Sequence, residues 1–286
     1  MPWHLLRLAR PKDWIKNVFV LMPVPFCVAA GGQLHWPQLI CGLLGFCLIN
    51  SAVYTLNDLF DAAADRLHPQ KCRRPIAAGE VSQSAALVQF VVLVLAGSAL
   101  VWYGGRLPGM AIVAVYVAVN AVYSLGAKRE PLLDTFLLSS GFVLRVLLGC
   151  VLVHSSPSGW LLLCSSSLSL FLGFGKRRAD LLTEVDPIYR PSLQGYTHNF
   201  LDQSLAICAT VAILSYALYC IEGRLFIGER QLASMPFVAY GILNYLRLMY
   251  LENAGGSPVD IALSSRASQV CAVGWALAVA WGLGWW

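Results

Sequence analysis

The chain contains nine apolar runs close to the length of a bilayer-spanning helix, and no polar stretch between them is long enough to form a separate soluble domain. The runs lie at 15–31, 38–57, 84–103, 108–126, 132–153, 159–175, 201–221, 233–251 and 267–285. About 20 apolar residues are needed to carry an α-helix across the hydrocarbon core. A backbone in lipid must satisfy its own hydrogen bonds, and runs of this length do so as helices. The spacing therefore predicts an all-α, polytopic membrane protein with nine transmembrane helices in one integral-membrane domain spanning 1–286. Composition agrees: only 12% of residues are charged, against about 25% in soluble domains. The sixth run is short and is expected to tilt or break.

The basic start and the following Gly31-Gly32, with no convincing cleavage site, read as a retained first helix rather than a signal peptide. The nine cysteines form no CxxC pair and sit mostly inside apolar runs, where they act as small buried hydrophobes. No solvated basic face suited to nucleic acid is visible.

Orientation follows from where Lys and Arg fall. One side receives 16 of them: Arg7, Arg10, Lys12, Lys16, Arg66, Lys71, Arg73, Arg74, Lys128, Arg129, Lys176, Arg177, Arg178, Arg190, Arg247 and Arg266. The other side receives 3, Arg106, Arg224 and Arg230, while Arg145 lies within the fifth run. This split predicts a cytoplasmic N-terminus and places two long loops, 58–83 and 176–200, on the cytoplasmic face of the plasma (inner) membrane. Loops that stay long tend to carry function.

The segment Asn57-Asp58-Leu59-Phe60-Asp61-Ala62-Ala63-Ala64-Asp65 sets Asp58, Asp61 and Asp65 at i, i+3 and i+7, one face of a helix. Asn57 and Asp61 form an i, i+4 pair on it. Three carboxylates in one stripe repel unless a cation lies among them, and magnesium, with oxygen ligands completed by substrate phosphate, suits. A second segment spaces Lys176, Asp180 and Glu184 at i, i+4. Alone, it also fits an ordinary membrane flank with helical ion pairs. The loop from Arg66 to Gly79 brings Lys71, Arg73 and Arg74 close to Asp65, and Pro69, Pro75 and Gly79 shape it. Cations beside carboxylates read as a phosphate clamp. Lys12, Lys16 and Asn17, after Arg10-Pro11, reach toward the same phosphates or serve as an interfacial anchor beside Trp14. Arg145 is either a phosphate ligand or half of a structural pair.

These segments resemble the UbiA-type intramembrane prenyltransferases. Residues 57–65 match the NDxxDxxxD motif, and Asp180–Glu184 matches the second acidic motif as DxxxE rather than DxxxD. RPKDWIKN at 10–17, DRLHPQKCRRPIAAGE at 65–80, SGFVLRVLLG at 140–149, GKRRADL at 175–181 and RPSLQGYTHNFLDQ at 190–203 resemble the phosphoribosyl-transferring branch. The resemblance implies a helical bundle with a cytoplasmic cap. It also implies an enzyme that moves the 5-phosphoribosyl group of phosphoribosyl diphosphate to a polyprenyl phosphate, in lipid-linked arabinose synthesis for the cell wall. Its magnesium ligands are expected to be Asp58, Asp61, Asp65, Asp180 and Glu184. Substrate contacts are expected from Lys12, Lys16, Asn17, Asn57, Lys71, Arg73, Arg74, Arg145, Lys176, Arg177 and Tyr196. A homo-oligomer is compatible with the chain. Two rival readings are an aromatic prenyltransferase with the same acidic motifs and a non-catalytic lipid carrier or transporter. The paired basic segments favour two phosphorylated substrates.

Overall fold

A computed structural model describes residues 2–182, 191–222, 226–251 and 265–285. All regular elements among them are helical: α1 Pro2–Ala9, α2 Val24–Ala29, α3 Trp36–Leu67, α4 Gln83–Leu125, α5 Leu133–Leu152, α6 Gly159–Leu182, α7 His198–Glu222, α8 Met235–Leu251 and α9 Arg266–Gly282. By length and composition, α3 to α7 can each cross a membrane. α8 and α9 have 17 residues each.

The run expected as a first helix at 15–31 is not one continuous α-helix. A 310 helix, Pro11–Leu21, gives way to the short α2. Pro23 and Pro25 each lack an N–H donor, and their rings obstruct a through-going helix. The runs at 84–103 and 108–126 are both part of α4, which turns at Arg106 (φ 48°, ψ −146°) just before Pro108. A Cβ on Gly109 would lie 3.2 Å from Val101 Cγ1. Eight residues of straight helix would separate them by about 12 Å, so α4 is a two-armed hairpin. The second span, expected to end at 57, continues as α3 to Leu67. Ala62-Ala63-Ala64 favours helix. The helix stops because Pro69 forces His68 into an extended conformation (φ −85°, ψ 132°). Likewise α6 continues past 175 to Leu182. Both acidic segments thus begin on helices rather than in loops.

The chain divides into two compact units: 1–28, 32–125 and 144–156 form one, and 29–31, 126–143 and 157–286 the other. In the first, α3 lies against both arms of α4. Gly45 and Gly97 meet where backbones nearly touch: a Cβ on Gly45 would come within 2.7 Å of the Gly97 carbonyl oxygen, and one on Gly97 within 2.8 Å of Gly45's. Small residues permit such close helix packing. Phe46, Ile49, Val101 and Leu148 fill the core beside this contact. Gly97→Val is expected to cost about 1–3 kcal/mol through overpacking, read as a lower melting temperature of the detergent-solubilised protein. Gly159→Ala, in open space, should leave the melting temperature unchanged.

In the second unit α6 packs on α7, with Phe171, Leu201, Leu205 and Met249 at the centre. Ser165 and Ser169 turn their hydroxyls back to the carbonyls of Leu161 and Ser165, both at 2.6 Å. Those bonds satisfy polar groups in an apolar helix. Trp275 Nε1 donates to Tyr216 Oη at 2.8 Å, tying α9 to α7.

Candidate active site

The C-terminal end of α3 carries the first acidic segment, and the first unit folds its basic segments onto it. Asp58 and Asp65 are buried, 2% and 3% exposed, while Asp61 is half-buried. A buried carboxylate needs a cation or several donors. Arg74 supplies one cation to both: its Nη1 donates to Asp58 Oδ1 at 3.0 Å and Asp65 Oδ2 at 2.8 Å. Arg10 supplies a second, its Nη2 lying 2.7 and 2.8 Å from the two oxygens of Asp58. The Arg10 backbone is left-handed (φ 50°) at the start of the 310 helix. That region is unfavourable for a side-chain-bearing residue and persists only where surroundings enforce it. The double contact with Asp58 and stacking over the Tyr54 ring, 5.1 Å to its centroid, do so.

The loop after α3 is held open by local bonds. His68 Nδ1 accepts the backbone N–H groups of Gln70 and Lys71 at 3.2 and 3.3 Å. Desolvation, with Lys71 next, lowers the His68 pKa. The resulting neutral ring is the form that can accept. Gly79 takes φ +76° at the loop's return. Glu80 then accepts from Arg7 Nη1 at 2.9 Å and lies 3.0 Å from His4 Nδ1, while Arg7 Nη2 donates to the Arg73 carbonyl at 3.2 Å. These contacts strap α1 across the loop.

Between α1, the 310 helix and the loop lies a cavity of about 700 Å3. Its walls carry six cationic side chains, Arg7, Arg10, Lys12, Lys71, Arg73 and Arg74, against two carboxylates, Asp13 and Asp58. Arg7, Arg10 and Arg74 are ion-paired with Glu80, Asp58 and Asp65, and the cationic excess that remains on this concave wall concentrates anions. The cavity is built for a polyanion.

The other predicted residues of this unit sit elsewhere. Lys16 Nζ donates to Asp13 Oδ1 at 2.5 Å. Asn57 Oδ1 accepts from Ser124 Oγ at 2.7 Å, joining α3 to α4. Asn17 and Arg145 meet each other in the core: Arg145 Nε donates to Asn17 Oδ1 at 2.8 Å, and the guanidinium stacks 5.3 and 5.2 Å from the Phe46 and Tyr116 ring centroids.

In the second unit, Arg177 is 1% exposed. Its Nε lies 2.7 Å from Asp134 Oδ2, an ion pair by distance whose N–H is not aligned for a hydrogen bond. Its Nη1 donates to Asp180 Oδ2 at 3.2 Å. Asp134 also accepts from Ser192 Oγ at 2.9 Å and Tyr196 Oη at 2.8 Å. Burial raises the Tyr196 pKa, which keeps the phenol protonated as a donor. Lys176 is exposed on α6. Glu184 lies outside the described residues.

Sequence reasoning missed two residues. Asp134 is a single charge at a helix start with no spaced partner to mark it. Arg10 was visible only as the first letter of a basic segment, although the Arg-Pro pair signals the turn that aims it.

The site's chemistry fits a hard divalent cation, because Asp58, Asp61 and Asp65 offer only oxygen. Among the described residues no three carboxylate, His or Cys groups converge as a ready cage. The Arg74 guanidinium bridges Asp58 and Asp65, and these carboxylates with Asp61 are the oxygens that would hold a divalent cation.

Residues 17–256 match the model of the UbiA prenyltransferase family. The chain is 33% identical to the decaprenyl-phosphate phosphoribosyltransferase of Corynebacterium glutamicum over 285 residues, covering 96% of this chain and 85% of that protein. It is 34% identical to the enzyme of that name from Mycobacterium tuberculosis over 278 residues, covering 95% and 91%. Among solved structures, a UbiA homolog from Archaeoglobus fulgidus bound to GPP and Mg2+ superposes with a TM-score of 0.74 at 18% identity, covering 98% of each chain. That likeness establishes the fold.

Proposed function

The chain belongs to the UbiA prenyltransferase family, and from its likeness to the decaprenyl-phosphate phosphoribosyltransferases within it we propose that it transfers the 5-phosphoribosyl group of phosphoribosyl diphosphate to a polyprenyl phosphate, decaprenyl phosphate in the first instance. The product is the precursor of a lipid-linked arabinose donor for the cell wall. The observation that carries this reading is the six-cation cavity beside Asp58. The aromatic reading brings one phosphorylated substrate to this wall, its donor, whereas phosphoribosyl transfer brings two.

In the reaction, the bond from ribosyl C1 to the diphosphate oxygen breaks, and the oxygen keeps the electron pair. An oxygen of the polyprenyl phosphate forms the new bond to C1. That phosphate is already anionic near neutral pH, so no general base is required. Arg73, Arg74 and Lys71 bind the phosphates of the sugar donor and stabilise the charge that gathers on the departing diphosphate. Lys12, at the 310-helix side of the cavity, faces the acceptor phosphate. Magnesium, when bound, supplies further neutralisation of diphosphate. Asp58, Asp61 and Asp65 are its proposed ligands, with Asp180 and Glu184 as a second set of oxygens. Arg177 and Asp134 hold the start of the second acidic segment in register. Arg145 and Asn17 meet each other in the core beside Phe46 and Cys47 of α3. The full proposal has nine spans, an inner-membrane location and a site capped on the cytoplasmic face. The one-sided distribution of Lys and Arg supports that orientation.

The test is turnover. Purified protein given labelled phosphoribosyl diphosphate, decaprenyl phosphate and magnesium should form a labelled lipid, and EDTA should abolish it. Consumption of a prenyl diphosphate with an aromatic acid instead would replace this reading with the aromatic one.

A further inference from the structure

A second concavity of about 780 Å3 lies along the adjacent flank of α1, between it and the first arm of α4. Its walls carry no charge and are mostly apolar: Leu5, Leu6 and Ala9 on α1 face Ala85, Val88 and Val92 on α4, with Ser82, Ser84 and Gln89 as the polar members. Leu6 also lines the basic cavity, so the two spaces adjoin at one side chain. α1 keeps its place because Leu8, fully buried, packs with Ala62, Ile76 and Ala86. Gln89 Nε2 also donates to the Leu5 carbonyl at 3.0 Å and closes the back of the groove. Val88 and Val92 in the groove wall and Leu95 about one turn further along α4 are 64%, 57% and 67% exposed. Their i, i+4, i+7 spacing extends one apolar stripe along the α4 arm.

A six-cation cavity joined to an uncharged groove and then to an apolar helix face is complementary to one kind of molecule. That molecule has a phosphate head and a hydrocarbon tail. We propose that the groove between α1 and α4 seats the first isoprenoid units of the acceptor lipid, with its phosphate in the basic cavity and the rest of its chain along the Val88–Val92–Leu95 stripe. This assignment rests on the phosphoribosyl-transfer reading and adds the acceptor's path to it. The amphipathic α1 becomes the divider around which the lipid bends, and the sugar donor has no contact with the groove.

The test uses full-length protein in phosphatidylcholine nanodiscs. A polyprenyl phosphate bearing a diazirine on its first isoprenoid units is photolysed, and the crosslinks are mapped by mass spectrometry. Label is expected on residues 5–9 and 82–92, competed by unlabelled polyprenyl phosphate and not by equal phosphatidylglycerol. Val88→Trp, a substitution at an exposed position, should fill the groove. It should abolish that label and raise the KM for polyprenyl phosphate about tenfold or more, leaving the KM for phosphoribosyl diphosphate unchanged. Label elsewhere, equal competition by phosphatidylglycerol, or an unaltered acceptor KM in Val88→Trp would overturn the groove assignment. The two readings fail separately. Absence of labelled product from wild-type protein removes the reaction, while the crosslinking pattern still decides the groove.

Discussion

Asp58→Asn is expected to lower turnover by about 10³-fold, the scale of losing a preorganised electrostatic element from a dry site. The substitution keeps the shape of the side chain and one carbonyl oxygen, so the Arg74 contact at 3.0 Å retains an acceptor. It removes the charge on which Arg10 and Arg74 both converge. Arg10 and Arg74 side chains keep 27% and 26% of their surface in solvent, so water replaces part of what they lose and the protein should remain folded. Two measurements separate the causes: the melting temperature should move by only a few degrees, and manganese binding followed by electron paramagnetic resonance should weaken together with turnover. Wild-type turnover in Asp58→Asn would refute Asp58 as a metal ligand.

Asp134→Ala carries the largest expected cost in stability. Asp134 and Arg177 are each 1% exposed. Removing the acid breaks a buried ion pair and leaves the Arg177 guanidinium the 3.2 Å contact with the partly exposed Asp180, a change on the scale of about 3 kcal/mol. It also takes an acceptor from Ser192, Tyr196 and Thr135. The last turn of α6 then loses its tie to the 310 helix Pro191–Gly195. Thermal unfolding in detergent should show a fall of many degrees. The double variant Asp134→Leu with Arg177→Met should recover much of that loss, because a buried ion pair can be exchanged for apolar packing more cheaply than it can be halved. Failure of the double variant to recover would mean that the hydroxyl contacts, not the ion pair, hold this corner.

What the sequence reveals follows from what is local in it. The stripe Asp58, Asp61, Asp65 is readable because helical period alone places it, and α3 does carry all three. The turn inside α4 is readable from Gly104-Gly105-Arg106-Leu107-Pro108. The first span misled because hydropathy counts Pro23 and Pro25 as compatible with an apolar run, while the backbone does not. The pairing of Asn17 with Arg145 joins residues 128 positions apart, and no periodicity encodes such a contact. In the fold the two residues meet each other, and the Arg145 guanidinium lies over the Phe46 and Tyr116 rings. Asp134 lay unseen for the same reason, since its partners come from α6 and from the segment before α7. The basic cavity falls between these cases. Its residues are legible one by one, but α1, which supplies Arg7 and Leu6, lies ahead of the first apolar run and no hydropathy signal marks it.

A cavity wall with more cations than carboxylates has a practical consequence at the bench. Self-repulsion there is relieved by whatever small anion arrives first, and any species that binds only the folded state shifts unfolding upward by mass action. Inorganic phosphate, sulfate or citrate in a purification buffer would therefore act as an unintended stabiliser and a competitor at once, flattering the shelf life of the preparation while hiding its true appetite for substrate.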